Sequence, residues 1–145
     1  MRGISYFFEE TKPFKLHKLL LGKHINSLLE NEQKMKGDIT IIFCSDSYLL
    51  NMNQQYLQHD YYTDIITFDY SEGAVVSGDL FISIDRVKEN AAELAISFRM
   101  ELYRVIFHGL LHLAGYKDKS KEEEQLMRDK EAFYLKGIDF DKEDV

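Results

Sequence analysis

Hydrophobic and polar positions fall into short strand-like runs in the first half of this chain and into long helical ones in the second. Residues 4–8 predict a short strand. Thr11 is placed to cap a helix over residues 12–30, with Leu16, Leu19, Leu20 and Leu28 on its buried side. Residues 38–44 (Asp-Ile-Thr-Ile-Ile-Phe-Cys) are β-branched and apolar and read as a buried strand. Asp46 or Ser47 then caps a helix carrying Leu49, Met52 and Tyr56. A strand is expected over residues 63–70, a loop over 71–78, and an alternating strand over 79–85. From residue 86 to 113 the pattern is helical but too long for one piece, and it breaks at residues 95–97, with Ser97 capping the second part. Gly115 stops that helix, Ser120 and Glu123 form a capping box for a last one, and Gly137 ends it near Lys136. Strands first and the longest helices last predict an α+β fold. It would be a small mixed sheet of about four strands covered by about five helices.

Composition narrows the class. The chain has 145 residues, 45% hydrophobic and 30% charged, enough for one packed core. We expect one domain over residues 1–145, with 138–145 a flexible acidic tail. The lone cysteine, Cys44, permits no internal disulfide and reads as core. No apolar run is long enough for a membrane span, and the start of the chain lacks the make-up of a signal peptide. A cytoplasmic protein is expected. The net charge of −7 argues against coating nucleic acid by bulk electrostatics but leaves room for a local basic groove.

The chemistry concentrates in Phe107-His108-Gly109-Leu110-Leu111-His112-Leu113-Ala114-Gly115-Tyr116-Lys117-Asp118. Two histidines four apart on a helix leave the same face, so their imidazoles can take two corners of a zinc tetrahedron. Gly115 turns the chain, and Asp118 arrives as a third donor. The frame His-x-x-x-His-x-x-Gly-x-x-Asp resembles the metzincin peptidase spacing, in which the third ligand is usually histidine. Three protein ligands leave a position open, the mark of catalytic rather than structural zinc. A zincin-like metal helix carrying Zn2+ on His108, His112 and Asp118 is therefore expected, one ion per chain. A peptidase is disfavoured because Gly109 stands where such enzymes carry their glutamate base. The missing side chain would leave room for a bulky substrate.

The same stretch resembles the YbeY family of bacterial ribosomal RNA maturation factors, whose signature is approximately His-Gly-x-Leu-His-Leu-x-Gly-Tyr-Asp-His. Two further blocks carry the resemblance: Met52 to Tyr56 with Asp60 and residues 63–68, then residues 78–83. It implies a zinc-dependent, single-strand-specific endoribonuclease that matures the 3′ end of small-subunit (16S) ribosomal RNA and serves ribosome quality control. Its partners would be single-stranded rRNA and the small ribosomal subunit, with no membrane and no nucleotide cofactor. The chain departs from the family's pattern at three places: Asp118 replaces the third histidine, Leu57 an arginine suited to phosphate, and Tyr62 a proline. The alternatives are a ribosome-associated metal-binding factor with weak or lost catalysis, or a metzincin-like metallopeptidase.

Around this core, Asp64 and Asp79 are candidates to orient a histidine ring, and Ser83 to place substrate from a strand facing the histidine helix. Arg99 and Arg104 could reach a phosphate, although surface ion pairs with Glu93 or Glu101 are the plainer expectation. Lys12, Lys15 and Lys18 would share one helix side, and Tyr61 and Tyr62 could stack bases. His17, His24 and His59 read as surface residues.

Overall fold

The computed structural model describes residues 3–57 and 63–140. His59, Asp60, Tyr61, Tyr62 and most of the expected acidic tail lie outside them. Among the described residues there are four strands, β1 (Ile4–Glu9), β2 (Met35–Cys44), β3 (Ile65–Asp69) and β4 (Val75–Ser83), in the spatial order β1-β2-β4-β3. The β1/β2 and β2/β4 pairs are parallel, and the β3/β4 pair is antiparallel. The helices are α1 (Lys18–Asn31), α2 (Asp46–Leu57), α3 (Ile84–Leu94), α4 (Phe98–Leu113) and α5 (Lys121–Leu135). This is the expected α+β fold with a mixed sheet.

The period of two along each strand sorts the side chains onto two faces. On one face Ile39, Ile41 and Phe43 of β2 and Val76, Leu80 and Ile82 of β4 meet Leu21, Ile25 and Leu28 of α1, Val87 of α3, Phe107 and Leu110 of α4 and Met127 of α5. On the other face Cys44, Ile66, Phe68 and Phe81 meet Leu49, Tyr48 and Met52 of α2. Helix α4 therefore runs through the larger core, and most of its length is buried. Gly109 explains how close it lies. A Cβ there would stand 2.7 Å from Ile65 Cδ1 and 2.9 Å from Leu80 Cδ2. The bare position packs the helix onto the sheet and leaves no room for substrate, which corrects the expectation from sequence.

Several boundaries differ from the sequence pattern. Helix α1 begins at Lys18, with His17 as its cap: His17 Nδ1 accepts from the Leu20 amide at 3.3 Å. The preceding segment stays non-helical because Phe14 inserts edge-on between Phe8, Phe43 and Phe98, and aromatic burial outweighs the weak helical pattern. Leu19 consequently points to solvent. Strand β4 starts at Val75, inside the expected loop, because the β3–β4 turn closes tightly through Gly73 at φ 57° and frees Val75 and Val76 to pair with β2. At the start of the expected tail, Ile138 and Phe140 pack on the core, Phe140 against Tyr103. Cys44 is buried in the sheet, and burial pushes its thiol up to about 12.

Candidate metal centre

Helix α4 ends at Leu113, and the exit from it builds the site. Gly115 takes φ 110°, which a side chain would resist. Its amide donates to the His112 carbonyl and the Tyr116 amide to the Leu111 carbonyl, both at 3.0 Å, the two bonds of a Schellman cap. The chain thus doubles back over the histidine face of the helix that it has just left. His112 Nδ1 lies 3.0 Å from the Tyr116 carbonyl oxygen, and a carbonyl only accepts, so Nδ1 carries the proton. His108 Nδ1 lies 2.6 Å from Glu131 Oε2 on α5. Burial pushes Glu131 up, but the bond to His108 and the charge of Arg104 outweigh it and hold the carboxyl below its ordinary value. Glu131 is therefore ionised and accepts from His108 Nδ1–H.

With both Nδ1 protons spoken for, both Nε2 lone pairs face the same space. Asp118 Oδ2 lies 3.3 Å from His108 Nε2 and 3.4 Å from His112 Nε2. One ligand atom from each of the three residues lies within 4.8 Å of the others. Three acceptor atoms this close repel unless a proton or a metal cation joins them. Bond lengths of roughly 2.0–2.2 Å around a tetrahedral zinc place neighbouring ligand atoms about 3.3–3.5 Å apart. The donor set and its spacing therefore fit a divalent metal ion. His108, His112 and Asp118 would hold it, with Glu131 and the Tyr116 carbonyl fixing the rings.

The fixing groups are themselves anchored. Glu131 accepts from Arg104 Nη1 at 3.0 Å, and Arg104 also donates to both carboxylate oxygens of the fully buried Glu101 at 2.7 Å. Tyr116 donates its hydroxyl to Glu32 Oε1 at 2.6 Å, and Glu32 also accepts from Tyr134 and Lys130. Burial pushes Glu32 up, yet these three hydrogen bonds leave it below its ordinary value.

The model of the endoribonuclease YbeY family matches residues 7–139. The chain is 48% identical over 129 residues to endoribonuclease YbeY of Parabacteroides distasonis, covering 89% of this chain and 91% of the relative. It is 54% identical over 112 residues to that of Flavobacterium psychrophilum, covering 77% and 80%. A solution structure from Thermotoga maritima superposes with a TM-score of 0.62 at 30% identity, over 90% of this chain and 86% of the other.

The chain belongs to the endoribonuclease YbeY family.

Of the other residues singled out from sequence, the YbeY fold gathers some at the metal centre and disperses the rest. Asp64 stands one residue back from it, 3.7 Å from Arg104 Nη2 and 3.4 Å from Asn90 Nδ2, and touches no imidazole. Burial raises its carboxyl, with Arg104 opposing. Arg104 is partly exposed but tied to three carboxylates, so the expected surface pair with Glu101 has a fully buried acid at one end. Asp79 and Ser83 belong elsewhere. Leu80 and Ile82 face α4, so the pleat sends Asp79 and Ser83 to the opposite side of the sheet. There Asp79 bonds Tyr70, while Ser83 caps α3 through the Arg86 amide and bonds Asp46. Arg99 reaches the Lys15 carbonyl at 2.9 Å. Only Lys18 of the three N-terminal lysines is helical, and its Nζ lies 6.0 Å over the Tyr6 ring. Leu57 is the last residue of α2.

Glu131 and Glu32 escaped the sequence reading. A usable signal existed for Glu131, since it is one turn after Met127 on the buried stripe of α5, where an unexplained acid calls for a partner. Glu32 carried none, because its partners lie across the fold.

Proposed function

We propose that this protein is a zinc-dependent endoribonuclease that cuts single-stranded RNA, in the cytoplasm, during maturation of the 3′ end of small-subunit ribosomal RNA. Family membership supports the reaction class. The observation that carries the metal-dependent reading is the convergence of His108 Nε2, His112 Nε2 and Asp118 Oδ2.

A divalent ion bound there would supply Lewis-acid activation of water and positive charge toward a phosphodiester. The chain's own residues do the rest. Glu131 and the Tyr116 carbonyl fix the tautomer and direction of the two rings. Arg104 keeps Glu131 ionised and in place. Asp118, with 38% of its side chain exposed, adds a negative charge where the cavity meets solvent. Gly109, packed against the sheet, offers no carboxylate base of the peptidase kind. No helix among the described residues is long and apolar enough to cross a membrane.

Metal analysis of the purified chain, with cleavage of a single-stranded and a duplex RNA by wild type and His112→Ala, tests the reading. One zinc per chain, preference for the single strand and loss of cleavage in the variant are expected. Unchanged cleavage by His112→Ala would overturn it. Metal and RNA binding without cleavage would instead favour a ribosome-associated factor.

A further inference from the structure

A cavity of about 410 Å³ opens beside His108 and Asp118, between α4, α5 and the end of α3. That volume lies within the range of small-ligand sites. Its walls hold two arginines, Arg104 and Arg128. They are not equivalent. Arg104 spends its guanidinium on Glu101 and Glu131, both buried, and could leave them for a ligand only by stranding two charges inside the protein. Arg128 is exposed and has no ion pair or hydrogen-bond partner among the described residues.

Helix geometry places Arg128 with respect to the metal centre. Glu124, Arg128, Glu131 and Leu135 recur along one stripe of α5, and all four line the cavity. Glu131 fixes the level of His108. Arg128 stands about one turn nearer the start of the helix, the end from which the Asp118 loop enters. Glu124 lies one turn further toward that end, and an exposed pair at this spacing is too weak to withhold the guanidinium from a phosphate. Opposite, Leu94 of α3 is 59% exposed and gives the cavity an apolar flank for a ribose or base.

We infer that Arg128 is the phosphate-binding residue of this site and grips an RNA phosphate beside the metal centre, leaving Arg104 to a structural role. The inference rests on the reading of the chain as an RNA-cutting enzyme. A chain of net charge −7 repels a polyanion at long range, so a guanidinium free inside the cavity is the group that a phosphate meets on entry.

The test uses the full chain with one equivalent of zinc and a fluorescein-labelled single-stranded RNA oligonucleotide. Binding is followed by anisotropy across a salt series, and cleavage by gel. Arg128→Ala should weaken binding about five- to tenfold and flatten the slope of log K against log salt by about 0.7. It should raise KM more than it lowers kcat and leave zinc content and Tm unchanged. Arg128→Lys should recover part of the affinity. Lys88→Ala, the same charge change at an exposed position of α3 away from the cavity, should do none of this. Affinity and salt slope equal to wild type in Arg128→Ala, or an equal loss in Lys88→Ala, would overturn the inference. A wild type that binds RNA without cutting it, with the Arg128→Ala loss intact, would sustain Arg128 and sink the catalytic reading. A wild type that binds no RNA would sink both.

Discussion

His108 Nδ1 and Glu131 Oε2 lie 2.6 Å apart, joining the metal helix to the last helix of the fold through a carboxylate that is 3% exposed. The bond sets which nitrogen of His108 faces the cavity, so on the proposed reading Glu131 would tune metal binding without being a ligand. Glu131→Gln keeps an acceptor oxygen but removes the charge. Zinc affinity should fall about 10- to 100-fold, measured by competition with a chromogenic chelator. Wild-type affinity in the variant would mean that the ring direction is set elsewhere.

Arg104 and Glu101 form a pair with one end fully buried. Removing Arg104 alone leaves Glu101 charged and uncompensated. Arg104→Ala should destabilise the fold by about 2–4 kcal/mol, below the cost of breaking a wholly buried pair because Arg104 is itself partly exposed. In urea unfolding, Arg104→Met with Glu101→Leu should be less destabilised than Arg104→Ala, since it still removes the partner of Glu131 and Asp64 but no longer strands the fully buried Glu101. A double variant destabilised as much as Arg104→Ala, or more, would contradict this.

Gly109→Ala introduces a methyl within 3 Å of Ile65 Cδ1 and Leu80 Cδ2. Overpacking costs about 1–3 kcal/mol, and better helix propensity returns up to about 1 kcal/mol. A net loss of about 1 kcal/mol is expected as a lower urea midpoint. A raised midpoint would mean that the two side chains give way freely.

Glu32 ties Tyr116, Tyr134 and Lys130 together, and its carboxyl sits below its ordinary value. A group depressed in the folded state stabilises the fold above its unfolded pKa of about 4.3, and that contribution disappears as pH falls through the folded value. Thermal melts between pH 6 and pH 3 should therefore show wild type losing more stability than Glu32→Gln. Parallel curves would remove Glu32 from the acid response.

Much of this molecule could be read from its sequence, and the rest fails for identifiable reasons. His108, His112 and Asp118 share a local frame of a helix repeat and a glycine turn, so their meeting depends on backbone geometry over one short stretch. The break at Ala95, which takes φ 55°, and the Ser120/Glu123 capping box are equally local. Glu131 and Glu32 act across the fold, and no periodicity reports which helix stripe will face which ring. Asp79 and Ser83 face away from the histidines, which strand alternation cannot tell, since it gives two faces without saying which one α4 covers. Phe14 overrode the start of α1 by packing with Phe8 and Phe98, partners remote in sequence on one side.

The anchoring of Tyr116 by Glu32 has a consequence for synthesis. Glu32 closes α1 and holds Tyr116, whose carbonyl fixes His112, while Glu131 lies on α5 and fixes His108 directly. A ribosome-bound chain still lacking α5 holds both histidines and Asp118 but not the carboxylate that aims His108. If the site binds zinc as proposed, nascent chains should therefore bind it less tightly until α5 docks.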